Sequence, residues 1–173
     1  LWKGVSIRFK AHAELDAPYL RTAALEDGGA RLALETDITG IKEANELKEL
    51  TITLRLSDEE TVCLEQAWQA DGEETMKCFL PNAKLWFPRP YGEPFLYRAE
   101  VVLRRGEEIL DTKAFRFGVR TIELMQDPLP EGGRKFALRV NGHELFICGA
   151  NWVPLRAIYA EIKPEDETFF LEK

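Results

Sequence analysis

The sequence predicts an all-β protein built around a sandwich of about seven strands. Three observations carry this: apolar residues alternate with polar ones at a period of two, turn-forming pairs interrupt the alternation at short intervals, and each strand keeps one polar face. Tyr19–Leu25 comes first. Leu32, Leu34, Thr36 and Ile38 then share one face, opposite Arg31, Glu35 and Asp37. Leu50, Ile52, Leu54 and Leu56 repeat the pattern with Thr51, Thr53 and Arg55 facing away, followed by Val62, Leu64 and Trp68, and by Met76, Cys78 and Leu80. Phe95, Tyr97, Ala99, Val101 and Leu103 make the longest stripe, and after Arg105-Gly106 come Ile109, Phe115, Phe117 and Val119. Asp27-Gly28-Gly29 and Asp71-Gly72 are turn segments. Seven strands in roughly a hundred residues match an immunoglobulin-like sandwich. Cys63, Trp68 and Cys78 lie too close together to be the disulfide and tryptophan of an antibody domain, so the likeness is one of architecture.

Between the fifth and sixth strands runs Leu85-Trp86-Phe87-Pro88-Arg89-Pro90-Tyr91-Gly92-Glu93-Pro94. Its prolines forbid a central strand. Its aromatics are expected to pack against the sandwich or a neighbouring domain, with a sugar-stacking platform as the alternative. Beyond Val119 the alternation stops, and Asp127–Gly133 reads as a loop. Asn141-Gly142 then signals a two-residue hairpin, since both residues accept positive φ. That register pairs Val140 with His143, Leu138 with Leu145 and Phe136 with Ile147, leaving Phe146 and Cys148 on the other face. The second strand, Glu144–Cys148, is apolar on both faces, as a strand covered on both sides would be. His143, at the turn, is expected to be structural and partly exposed. Pro164-Glu165-Asp166-Glu167 marks a helix start, with Phe169, Phe170 and Leu171 beginning its apolar side.

Composition narrows the function. The 30 acidic and 23 basic residues leave a net charge of −7, and no basic stripe interleaves with aromatics, which argues against nucleic-acid binding. No apolar run reaches membrane-span length, so no membrane partner is expected. Cys63, Cys78 and Cys148 show no metal-ligand spacing, and His12 and His143 are the only histidines, so neither a metal nor a cofactor is expected. Unpaired cysteines lean towards a reducing, cytoplasmic compartment. The chain opens without Met and stops soon after its last helix begins, as expected of a piece of a longer protein. Glu144–Cys148 and Phe169–Leu171 are then expected to be poorly ordered, to borrow cover from the sandwich, or to pair with another copy.

Several of these segments match a known family. Leu85-Trp86-Phe87-Pro88, Gly92-Glu93-Pro94-Phe95-Leu96-Tyr97 and Phe115-Arg116-Phe117-Gly118-Val119-Arg120-Thr121 resemble the end of the immunoglobulin-like domain of glycoside hydrolase family two. Val140-Asn141-Gly142 followed by Gly149-Ala150-Asn151-Trp152-Val153-Pro154 is similar to the entry to that family's catalytic (β/α)8 barrel, as in its β-mannosidase-like members. Leu1-Trp2-Lys3-Gly4-Val5 resembles the last strand of the preceding jelly-roll domain. The resemblance implies three parts: residues 1–12 ending the jelly roll, residues 13–121 forming the sandwich, and residues 122–173 forming linker, hairpin and first strand of a truncated barrel.

It also implies a retaining exo-glycosidase acting on terminal β-mannosides, with β-mannoside oligosaccharides as ligands and the barrel and jelly roll as intramolecular partners. Both catalytic glutamates of such enzymes lie on later barrel strands, so no catalytic residue is expected in this chain. Glu161, Glu165 and Glu167 read as solvated helix-cap residues, and Glu73-Glu74 and Glu107-Glu108 as exposed turn residues. The substrate-binding candidates are Asn151, Trp152 and Arg156, on the loop leaving the first barrel strand. Trp152 offers an apolar face to a sugar ring, and Asn151 both donates and accepts hydrogen bonds; a loop that simply fills the barrel mouth is the alternative. Where similar members carry Pro-x-Asp-Ala, this chain has Pro154-Leu155-Arg156-Ala157, a charge reversal that questions mannose specificity and leaves an anionic group possible. Two other readings are a free-standing carbohydrate-binding or adhesion module, and another family-two activity such as a β-galactosidase, a glucuronidase or an exo-glucosaminidase. A row of exposed aromatics on one sheet face would favour the module.

Overall fold

Alternation at period two becomes strand pairing throughout the first two-thirds of the chain. The computed structural model describes residues 4–5, 7, 13–41, 43–70, 75–149 and 151–172. Most of the expected jelly-roll strand, His12, the Asp71-Gly72 turn, Glu73-Glu74 and Ala150 lie outside the described residues. The chain divides into two units, residues 10–146 and residues 1–9 with 147–173.

In the first unit β1 (Glu14–Glu26), β2 (Gly29–Thr39) and β5 (Thr75–Pro81) form one antiparallel sheet in the order β1-β2-β5. A second sheet has the order β4-β3-β6-β7, from β3 (Leu50–Asp58), β4 (Thr61–Gln69), β6 (Tyr97–Arg105) and β7 (Glu108–Phe117). The chain changes sheet from β2 to β3, from β4 to β5 and from β5 to β6, as in an immunoglobulin-like sandwich. A single helical turn, α1 (Ala44–Leu47), lies on the first crossover. The sequence reading missed it, because four residues are too few to display a helical period.

The core lies between these two sheets. Leu32, Leu34, Leu50, Leu54, Leu56, Leu80, Val101 and Leu103 are fully buried, each adding roughly 1.5–3 kcal/mol relative to exposure. Buried Tyr97 accepts the Lys84 amide on its hydroxyl at 2.7 Å, which satisfies its one polar atom and ties down the chain entering the aromatic loop. Gly29 sits where β5 crosses β2 closely, and a Cβ there would collide with the Leu80 carbonyl. Two bonds tie β1 to β7 and to the segment that follows it. Asp111 Oδ2 accepts the Leu15 amide at 3.0 Å, and Thr22 Oγ1 accepts the Arg120 amide at 3.1 Å.

Register shifts interrupt three strands: β1 twice, between Asp16 and Tyr19 and between Thr22 and Ala24, and β4 and β7 once each. Leu56 pairs with Leu64 but Ser57 pairs with Val62, so Cys63 is the extra residue. Cys63 therefore packs against the core and Val62 is exposed, contrary to the expected stripe. Likewise Leu103 pairs with Asp111 and Arg104 with Ile109, which turns Leu110 towards the core and leaves Ile109 exposed. Phe95 packs against the core just before β6, which begins at Tyr97.

A third antiparallel sheet follows in the same unit, in the order β10-β9-β8, from β8 (Ile122–Met125), β9 (Ala137–Val140) and β10 (His143–Leu145). The expected hairpin is present with Asn141 at φ 49° and Gly142 at φ 80°, pairing Val140 with His143 and Leu138 with Leu145. Two features differ from expectation. β8 is an added partner for β9, in a stretch with no clear alternation. β10 ends at Leu145 rather than Cys148, so the third pair, Phe136 with Ile147, lies outside the ladder.

In the second unit, residues 151–158 carry no regular structure and lead to a short 3-10 turn, Tyr159–Glu161, and to α2 (Pro164–Leu171). Pro164 occupies the first helical position, as expected, and the Asp166 carboxylate accepts the Lys163 amide at 3.1 Å.

Candidate functional site

Of the residues read as substrate-binding, Asn151 and Trp152 are exposed on the loop after Gly149, with Trp152 at 54%. An indole this exposed offers a flat apolar face, and the neighbouring amide can both donate and accept. Together these are the elements of a polyol contact.

Arg156 is differently disposed. Its Nε and Nη2 each meet an oxygen of Asp166 at 3.2 Å, a two-pronged contact that closes the loop onto the first turn of α2. Arg156's pKa is raised by the hydrogen bond and charge of Asp166, with Glu161 adding to it. Asp166's is lowered by the Arg156 hydrogen bond and then by the Lys163 amide. The guanidinium therefore already has a carboxylate partner, in a pair open to water. Glu161, Glu165 and Glu167 are exposed.

The other constellation lies within the first unit, where the aromatic loop meets the third sheet. Leu85 bridges Val119 in parallel, the Trp86 amide donates to the Val119 carbonyl at 2.9 Å, and Trp86 bridges Pro94. The Arg120 guanidinium lies over the Trp86 ring at 4.8 Å, and a Cβ on Gly118 would sit 2.9 Å from Trp86 Cβ and Cγ. Trp86 is thus packed between its own domain's residues, which answers the expectation of self-packing for this ring. Asn141 Nδ2 donates to the Trp86 carbonyl at 3.0 Å, while its Oδ1 accepts the Thr121 amide at 2.9 Å. Phe87 meets His143 edge-on, centroids 5.8 Å apart. Tyr91's hydroxyl accepts the Phe146 amide at 2.9 Å and faces the Phe146 carbonyl at 3.4 Å. Both main-chain groups of Phe146 thereby meet a side chain, one residue beyond the end of β10.

The exposed aromatics of the β1-β2-β5 sheet, Tyr19 and Phe79, form no row. Tyr19 is level with Glu35 and Phe79 with Arg31, four positions apart along β2, or about 13 Å. Phe95 is no free platform either, with Lys84 Nζ 4.8 Å above its ring and Tyr97 against it at 4.8 Å. Burial pushes the Cys78 thiol up to about 11, so this cysteine is an inert core residue. Among the described residues no three His, Cys, Asp or Glu side chains are grouped to hold a metal ion.

Against known proteins, the model for "Glycosyl hydrolases family 2" matches residues 13–120. The chain is 28% identical over 167 residues to Beta-mannosidase B of Emericella nidulans, which covers 95% of this chain and 19% of that protein. It is 33% identical over 113 residues to Beta-mannosidase B of Neosartorya fischeri, covering 65% of this chain and 13% of that protein. Among solved structures, the Beta-D-Mannosidase of Dictyoglomus thermophilum superposes with a TM-score of 0.74 at 30% identity, over 93% of this chain and 20% of that one. The β-glucuronidase of Ruminococcus gnavus shares the fold, with a TM-score of 0.58 at 17% identity over 79% of this chain and 19% of that one. The chain thus spans about a fifth or less of the proteins it matches.

Proposed function

The chain belongs to the family 2 glycosyl hydrolases, and we propose that it is the non-catalytic immunoglobulin-like section, with the seam into the barrel, of a retaining exo-glycosidase that hydrolyses terminal β-mannosides. The observation that carries this reading is the superposition on a β-D-mannosidase at 30% identity over 93% of the chain. In this reading residues 1–12 end a jelly-roll domain, residues 13–121 brace the barrel, and residues 122–173 open it. β-Mannoside oligosaccharides are the ligands of the whole enzyme.

The chemistry follows from the class. Retention needs one carboxyl as acid/base and a second as nucleophile, about 5–5.5 Å apart across the glycosidic bond. We assign both to residues outside 1–173. In support, Asp111 and Asp166 are held below the ordinary carboxylate range, whereas a general acid needs a raised value. Glu107, Glu108, Glu161, Glu165 and Glu167 are exposed to water. Asn151 and Trp152 supply one edge of the sugar site. Arg156 borders it as the holder of Asp166, so its charge gives no strong reason to expect an anionic sugar.

Residues 1–173 alone are expected to leave an aryl β-mannoside intact, while the whole enzyme hydrolyses it. Turnover by the purified chain would overturn the assignment of the glutamates. Preference of the whole enzyme for an aryl β-galactoside or β-glucuronide would move the reading to another activity within the family.

A further inference from the structure

We infer that the aromatic loop, residues 86–94, is a clamp on the β9–β10 hairpin and thereby a positioning element for the exit loop that follows. The second half rests on the reading that Asn151 and Trp152 meet the sugar. β10 is three residues long and pairs with β9 alone, too little ladder to fix its own direction. The aromatic loop supplies what the ladder lacks, at three separate points. Trp86's carbonyl takes the Asn141 side chain at the turn, Phe87 packs on His143 at the start of β10, and Tyr91's hydroxyl holds both main-chain groups of Phe146 at its end.

The clamp is itself stiff. Its prolines restrict the backbone, the Phe87 amide donates to the Glu93 carbonyl at 2.9 Å, and the Tyr91 amide donates to the Pro88 carbonyl at 2.8 Å. Phe146 is the last residue the clamp holds. Residues 147–149 carry no regular structure, so no ladder corrects the heading of the chain over these described residues beyond the clamp. Tyr91 acts on the sugar only through that heading. Its removal therefore weakens substrate binding while sparing the chemical step.

The test has two arms. In residues 1–173, Tyr91→Phe is expected to speed hydrogen exchange of the Phe146 amide by about three- to ten-fold, leaving core amides such as that of Leu54 unchanged. Asn141→Asp, which removes donation to the Trp86 carbonyl, is expected to act in the same direction, and Tyr19→Phe to do nothing. In the whole enzyme, Tyr91→Phe is expected to raise KM for an aryl β-mannoside by about three- to ten-fold with kcat within about two-fold. Unchanged exchange at Phe146 in Tyr91→Phe overturns the clamp. Faster exchange with unchanged KM, or with kcat falling in step, overturns the positioning role. An unmutated whole enzyme inactive on β-mannosides overturns the functional reading and with it the positioning role, and the exchange arm still decides the clamp.

Discussion

Gly118→Ala isolates the packing of Trp86 from everything else in the clamp. A Cβ at position 118 would lie 2.9 Å from both Cβ and Cγ of Trp86 and 3.0 Å from Cδ1, closer than carbon atoms tolerate. The ring cannot easily retreat. Trp86 donates to Val119 at 2.9 Å, its carbonyl is held by Asn141 at 3.0 Å, and Arg120 covers the ring at 4.8 Å. Overpacking of this kind costs about 1–3 kcal/mol. Gly118 lies outside the positive-φ region, so alanine also stiffens the unfolded chain and returns about 0.4–1 kcal/mol. The net loss is about 1–2 kcal/mol, read as a lower urea midpoint at constant m, or as a melting midpoint lower by roughly 2–8 °C. The decisive measurement is the double-mutant cycle with Trp86→Ala. Once the ring is gone, Gly118→Ala should be neutral or slightly stabilising, so the coupling recovers the steric term, about 1–3 kcal/mol. A cost equal in both backgrounds, or no cost in the first, would refute the steric argument.

Two further changes test the electrostatics. Burial alone would push the Asp111 carboxyl up, but hydrogen bonds from Lys113 and from the Leu15 and Thr112 amides outweigh it and leave the pKa lowered. The folded state then holds fewer protons than the unfolded chain, whose Asp titrates near 3.9, so the stabilisation is complete above about pH 5 and fades as pH falls through the folded value. Asp111→Asn should cost about 1 kcal/mol by urea unfolding at pH 7, with the gap to the parent narrowing as pH falls through the folded value; a gap independent of pH would assign the effect to packing. Arg156→Gln in the whole enzyme should leave the preference for neutral over anionic aryl glycosides within about three-fold, because Asp166 already engages the guanidinium. A shift of about ten-fold or more against anionic substrates would make Arg156 a specificity residue.

The sandwich strands were legible because each turns one apolar face to the core, fully buried in β3 and β6 and half-buried in β4, and that face recurs in the sequence at period two. Leu50, Ile52, Leu54 and Leu56 are all buried, as are Tyr97, Ala99, Val101 and Leu103. The reading slipped where a bulge inserts one residue. Beyond Cys63 and Leu110 the phase changes, so Val62 and Ile109 were placed inside when they face out. Nothing local to either residue announces a bulge, since the strand across from it sets the count. β8 was missed for a related reason. Ile122 and Leu124 alternate with Glu123 over only four residues, and both remain exposed.

The site divides along the same line between local and distant causes. The Asn141-Gly142 turn and the Pro164 helix start depend on neighbours in sequence and could be read directly. Arg156's partner sits ten positions away on a helix, and its position on the exit loop alone suggested a free cation. The partner of the Phe146 main chain is Tyr91, fifty-five positions upstream in a segment that sequence patterning marks only as unsuited to a strand. An apolar run such as Leu145-Phe146-Ile147-Cys148 records the wish for cover on both faces but not what supplies it. Within this chain a tyrosine hydroxyl meets the backbone of Phe146, and the Phe146 side chain remains 80% exposed.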